Sequence, residues 1–127
     1  MHILLLEPDR IMSNVCAQFL TSQGFLTSQA SSAQSAIHQM DNKKPDIVVV
    51  EMDLKDHNGV EFLYEMRSYR EWFRVPVIIY SFVPPAEFRE MNVLRDNLGV
   101  VGYLYKPVTS LHLLAKSIRH QFPVVKV

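Results

Sequence analysis

The chain has 127 residues, 48% of them hydrophobic and 20% charged, the size and mix of one globular domain able to bury a core. Thirteen basic and thirteen acidic residues cancel, which argues against broad, phosphate-driven binding to nucleic acid. A lone cysteine, Cys16, excludes an internal disulfide and a multi-cysteine zinc site, and its place in an apolar helical stripe predicts a packed thiol.

The amino-terminal apolar run is too short for a signal peptide or a membrane span, so a cytoplasmic location and no membrane contact are expected. No repeat, low-complexity segment or linker divides the chain, and residues 1–127 read as one domain.

The first predicted strand is residues 3–6, stopped by Glu7-Pro8-Asp9. Asp9 is placed to cap a helix whose apolar positions are Ile11, Met12, Val15, Cys16, Phe19 and Leu20, and Gly24 suits the residue past its end. Residues 25–28 form a weaker strand, and Ser31 or Ser32 caps a second helix running to about Met40. The run Ile47-Val-Val-Val50 predicts a strand over 46–51 that is buried on both faces of a parallel sheet. Asn58-Gly59 turns into a third helix over 60–69 with Phe62, Leu63 and Met66 inward. Trp72 and Phe73 follow as expected packing residues.

A fourth strand spans 75–81, with Pro76 at its start where a missing N–H costs least. Pro84-Pro85 breaks the chain and starts a fourth helix over 86–98. The fifth strand covers 103–105 and ends at Lys106-Pro107. Ser110 opens a last helix that sets Leu111, Leu114, Ala115, Ile118 and Phe122 on one face, and the apolar tail 123–127 is expected to cover the core or a neighbour. Five strand–helix units in alternation predict a parallel five-stranded α/β sheet with helices on both faces and right-handed crossovers.

Ligand sites in such sheets lie beyond the carboxyl ends of the strands. There the chain collects Glu7 and Asp9 after strand one, Glu51 and Asp53 after strand three, Ser81 ending strand four and Lys106 ending strand five. Carboxylates with a hydroxyl and an ammonium suit a divalent cation beside a phosphoryl group. No Gly-rich phosphate loop follows strand one, which disfavours a flavodoxin-type cofactor binder. His38, His57, His112 and His120 show no metal-ligand spacing.

Four motifs in order, Ile3-Leu-Leu-Leu-Glu-Pro-Asp9, Pro45-Asp-Ile-Val-Val-Val-Glu51 with Gly59, Pro76-Val-Ile-Ile-Tyr-Ser81 and Gly102-Tyr-Leu-Tyr-Lys-Pro107, resemble a response-regulator receiver domain of bacterial two-component signalling. The resemblance runs through all five units and implies a flavodoxin-like (βα)5 three-layer sandwich with strand order 2-1-3-4-5. It implies that the position of Glu51 is the phosphoacceptor, normally aspartate, and that Glu7 and Pro8 stand where two acids hold magnesium. Ser81 and Lys106 then take the phosphate-contacting positions. Tyr103 takes that of an aromatic switch, and Pro107 follows a cis bond.

Two departures reach the chemistry. Glutamate is one methylene longer than aspartate, which displaces the carboxylate from the position that in-line attack requires. Pro8 offers no side-chain ligand to an ion that tolerates imperfect octahedra poorly. Lesser departures are Lys55 for proline, bulky Phe82 after the hydroxyl, and an interval of 25 residues (106 − 81) between Ser81 and Lys106.

The resulting expectation is an atypical receiver, not an enzyme and with no cofactor, that acts as a phosphorylation-independent protein-interaction module. Glu51 is then either a built-in mimic of the phosphorylated state or half of a structural ion pair with Lys106. Glu7, Asp9 and Asp53 are either solvated loop acids or, with Glu51, a weak magnesium or calcium site. Tyr103 is a mobile switch or a half-buried strand aromatic, and Ser81 is a switch contact or serves a local backbone group. The resemblance places the partner, a histidine kinase or a downstream signalling protein, on the fourth helix, fifth strand and fifth helix, a face that also suits a homodimer. The alternative is a magnesium-dependent phosphoacceptor that uses Asp53 or Glu51, with Asp9 standing in for the missing ligand.

Overall fold

The computed structural model of the chain describes residues 1–55, 58–89 and 91–122. Its elements alternate: β1 (His2–Leu6), α1 (Arg10–Ser22), β2 (Leu26–Ala30), α2 (Ala33–Asn42), β3 (Ile47–Val50), α3 (Gly59–Ser68), β4 (Val77–Ser81), α4 (Met91–Asp96), β5 (Val100–Tyr105) and α5 (Leu111–His120). The strands form one parallel sheet in the order β2-β1-β3-β4-β5. This is the flavodoxin-like (βα)5 arrangement.

Strand alternation splits the core into two layers. Leu4, Leu6, Val48, Val50, Val77 and Ile79 point to one side, where they pack with Met40, Phe62, Leu63, Met66 and Leu98. Ile3, Leu5, Ile47, Val49 and Ile78 point to the other, against Cys16, Leu20, Leu114 and Ile118. Because β1, β3 and β4 are covered on both faces, their sequences read as unbroken apolar runs.

The helix starts follow the expected chemistry. Asp9, Ser32, Asn58 and Ser110 each accept a backbone N–H of the first turn of α1, α2, α3 and α5. Gly24 sits past α1 at φ +95°, where a side chain would be strained.

Four expectations need correction. In α1 the buried face is Ser13, Cys16, Ala17 and Leu20, whereas Ile11 and Val15 are 77% and 49% exposed. Ser13 and Ala17 let the helix lie close to the sheet and Leu20 fills the core, while Ile11 and Val15 turn outward. The single helix expected over 86–98 is instead a 3-10 turn at Pro85–Glu87 followed by the short α4, separated at Phe88, whose backbone is extended (φ −100°, ψ 107°). β5 begins at Val100, earlier than expected, because Gly102 pairs with Ile78 inside the ladder after a register shift. Trp72 is buried as expected, but Phe73 is 54% exposed. His57 and the tail 123–127 lie outside the described residues.

One tie across loops had no clear signal in the sequence. The Arg67 guanidinium donates to Leu98 O at 2.9 Å, Trp72 O at 2.8 Å and Val75 O at 2.6 Å. It thereby fastens the end of α3 to the entries of β4 and β5.

Candidate functional site

The site is built by register. Leu6 pairs with Val50, so Glu7 and Glu51 leave adjacent strands side by side at the carboxyl edge of the sheet. Glu7 N–H donates to Ala30 O at 3.0 Å and Glu51 N–H to Leu6 O at 2.9 Å, which prolongs the ladder into the site and fixes both carboxylates. Ser81 pairs with Tyr105, so Lys106 emerges next to the hydroxyl.

From there the Lys106 stem reaches back across β4. Its ammonium lies 5.5 Å from the centre of the Tyr80 ring and 4.9 Å from that of Phe82. It ends between the two carboxylates. Nζ donates to Glu51 Oε1 at 2.8 Å and makes a second, short contact with Glu7 Oε1. The side chains of Lys106, Glu7 and Glu51 are 3%, 5% and 5% exposed, so the charges interact in a dry environment.

Glu51 is the most heavily bonded member. Oε1 also accepts Phe82 N–H at 3.1 Å, and Oε2 accepts Asp53 N–H at 3.1 Å and a short bond from Ser81 Oγ. Burial alone would push the Glu51 carboxyl up. The ammonium of Lys106, the Ser81 hydroxyl and the two backbone N–H groups outweigh it and hold the group below its ordinary value.

The contacts continue outward from Glu51. Val83 N–H donates to Ser81 Oγ at 2.9 Å, and the Tyr103 hydroxyl donates to Val83 O at 2.6 Å. Burial pushes the Tyr103 phenol up to about 12, so it stays neutral and able to donate at ordinary pH. The chain Lys106–Glu51–Ser81–Val83–Tyr103 runs from the site to β5. Tyr103 itself is half-buried against Phe88, ring centres 5.8 Å apart.

The remaining acids stand apart from this cluster. Asp9 is exposed, and its Oδ1 accepts Met12 N–H at 2.9 Å as the cap of α1. Asp53 contributes its backbone to Glu51 and a bridge to Asn58, while its side chain is exposed. Gly59 is required here: a Cβ would lie 2.5 Å from Met52 Sδ and 2.8 Å from Met52 Cα. Above the cluster opens a cavity of about 570 Å³ rimmed by Asp9, Asp53, Ile11, Val15 and Phe82. Cys16 lies below, and burial raises its thiol to about 11, as a packed cysteine requires.

The residues do not fit a directly coordinated magnesium ion. All four oxygens of Glu7 and Glu51 already accept hydrogen bonds, since Glu7 Oε2 takes Asp9 N–H at 3.0 Å. Pro8 contributes no ligand. The expected grouping of Glu7, Asp9 and Glu51 is corrected accordingly: Lys106 separates the first and last, and Asp9 is engaged as a cap. Among the described residues no set of three or more His, Cys, Asp or Glu side chains is arranged to hold a metal ion.

The Lys106–Pro107 peptide bond is trans, not cis. Lys106 opens a 3-10 turn closed by Thr109 N–H on Lys106 O at 3.2 Å, and Pro107 takes an early position in it where its missing N–H is not needed. Sequence reasoning paired Lys106 with Glu51 and missed its contact with Glu7. The signal was available, because both residues follow the ends of strands, but nothing in the spacing says that the stem crosses β4.

The geometry agrees with what the chain is similar to. The family model for the response regulator receiver domain matches residues 3–118. The transcriptional regulatory protein MalR of Bacillus subtilis (strain 168) is 32% identical over 110 residues, which cover 84% of this chain and 44% of that protein. The KDP operon transcriptional regulatory protein KdpE of Escherichia coli (strain K12) is 28% identical over 107 residues, with coverage of 84% and 44%. The chain thus matches less than half the length of these curated relatives. A CheY-like receiver domain protein from Methanospirillum hungatei JF-1 superposes with a TM-score of 0.81 at 21% identity, covering 94% of this chain and 91% of that one. With its family model spanning nearly the whole sequence, the chain belongs to the response regulator receiver domain family.

Proposed function

We propose that this receiver domain signals through protein contacts without being phosphorylated, with Glu51 serving as a permanent substitute for the charged acceptor. The observation that carries the reading is the set of donors on Glu51. One carboxylate engages the Lys106 ammonium and the Ser81 hydroxyl together, the two groups that the family resemblance assigns to a phosphoryl group. Through Val83 the same contacts reach Tyr103 on β5. The partner is a histidine kinase or a downstream signalling protein, and it docks on the α4-β5-α5 face, where Val101 is 45% and Leu113 44% exposed. A second copy of the chain on this face is compatible with the same reading.

The test is an amide NMR titration with magnesium, then with beryllium fluoride as a phosphoryl mimic. The expected result is a folded spectrum in which the amides of Glu51, Asp53, Phe82 and Lys106 do not move. Shifts focused on those amides would defeat the reading. They would favour instead a magnesium-dependent acceptor at Asp53, whose exposed carboxylate borders the cavity. That acceptor would gain one phosphoryl mass from a small phosphodonor, and Asp53→Asn would abolish the gain.

A further inference from the structure

We propose that the Lys106 ammonium is the resident cation of this site, a tethered counter-ion that does the structural work a divalent metal would otherwise do between two carboxylates. It stands on the geometry of the cluster, whatever partner the domain serves.

Two carboxylates that face each other in a dry site repel, and both stay ionised only with a cation between them. Here Glu7 and Glu51 project from neighbouring strands, and Lys106 Nζ contacts an oxygen of each. Phe82 N–H shares Glu51 Oε1 with the ammonium, and the other two oxygens are taken by Asp9 N–H on Glu7 and by Asp53 N–H and Ser81 Oγ on Glu51. Every oxygen of the two carboxylates thus has a partner from the chain itself, without any ion from solution. Being covalently attached, the ammonium has a high effective concentration at the site. Phe82 and Tyr80 flank it, so that exchange with a solvated metal would require both ring contacts and both ion contacts to break. A loop position that lacks a metal-binding side chain, Pro8, is consistent with a site whose cation is supplied from within.

The test is chemical rescue. In Lys106→Ala the side-chain space is vacated, and Glu7 and Glu51 lose their shared cation. The thermal midpoint should fall, and ethylammonium chloride should restore most of the loss. Sodium chloride at the same ionic strength should not, nor should tetramethylammonium, which has no N–H to donate. In Lys106→Met the stem still fills the space, so ethylammonium should restore nothing. Rescue of both variants alike, or of Lys106→Ala by all three salts alike, would overturn the proposal, as would no rescue of a folded Lys106→Ala.

A measurement on the natural chain decides the matter independently of how the variants fold. Manganese(II) should broaden no amide selectively at Glu7, Glu51 or Phe82. Selective broadening there would show that a metal enters despite Lys106, and the proposal would fail.

Discussion

At the scale of single residues, Glu51 decides what this site is. By the family resemblance this position at the end of β3 is normally an aspartate, one methylene shorter. The longer side chain instead brings its oxygens to Lys106, Ser81 and two backbone N–H groups. Its carboxyl is held below its ordinary value in the folded state, so ionised Glu51 contributes stability at pH above the ordinary, unfolded value. That contribution is lost as pH falls through the folded value. Glu51→Gln keeps the shape but removes the charge, while Glu7 retains the ammonium. It should lower stability at neutral pH by about 1.5–3 kcal/mol, in the range for hydrogen bonds to charged groups. Urea denaturation from about pH 6 to about pH 3 should then show the gap between the two proteins shrinking as acid is added. A gap that stays constant would mean that the Glu51 charge is not what the donors stabilise.

At the scale of elements, legibility depended on how many faces are buried. β1, β3 and β4 are covered on both sides, so their short apolar runs announced them. β5 sits at the sheet edge with partly exposed residues, and the strand expected over 103–105 leaves out its first half, Val100 to Gly102. The fourth helix was overextended for a different reason. Its apolar residues have helical spacing, but the two prolines start a 3-10 turn and Phe88 leaves it extended, which the pattern alone does not reveal.

α1 shows the limit most clearly. Both Ile11–Val15 and Ser13–Ala17 have helical spacing, and period alone cannot say which stripe faces the sheet. The structure selects the smaller side chains, and Ile11 and Val15 end on the rim of the cavity above Glu51. Replacing both with serine should therefore change stability by no more than about 1 kcal/mol, about 0.5 kcal/mol for each surface position. Had the larger stripe been buried, the same pair would cost several kcal/mol. Denaturant midpoints of the double variant and the natural chain distinguish the two.

At the scale of the whole molecule, the sheet order places the clamp formed by Glu7, Glu51, Ser81 and Lys106 and the proposed docking face at a fixed separation. Glu7, Glu51, Ser81 and Lys106 line up across β1, β3, β4 and β5, and Lys106 closes the line by reaching back over β4. The clamp residues were legible from the ends of the strands, but their closure around one ammonium was not, because it depends on the path of a long side chain. Tyr103 lies on the strand that Lys106 directly follows. A change at Glu51 therefore has two routes to β5, through Ser81 and Val83 to Tyr103 and through Lys106. Coupling of this kind needs an element whose arrangement both ends bias. If the clamp supplies it, Glu51→Gln should shift the amides of Val83, Tyr103 and α4 (Met91–Asp96) as well as its own donors, while Ile37 and His38 on α2 stay in place. The comparison is one pair of amide spectra. Changes confined to Asp53, Phe82 and Lys106 would reduce Glu51 to a local ion-pair partner and detach it from the docking face. Changes that extend to α4 but spare α2 would tie the carboxylate to the surface on which the proposed function depends.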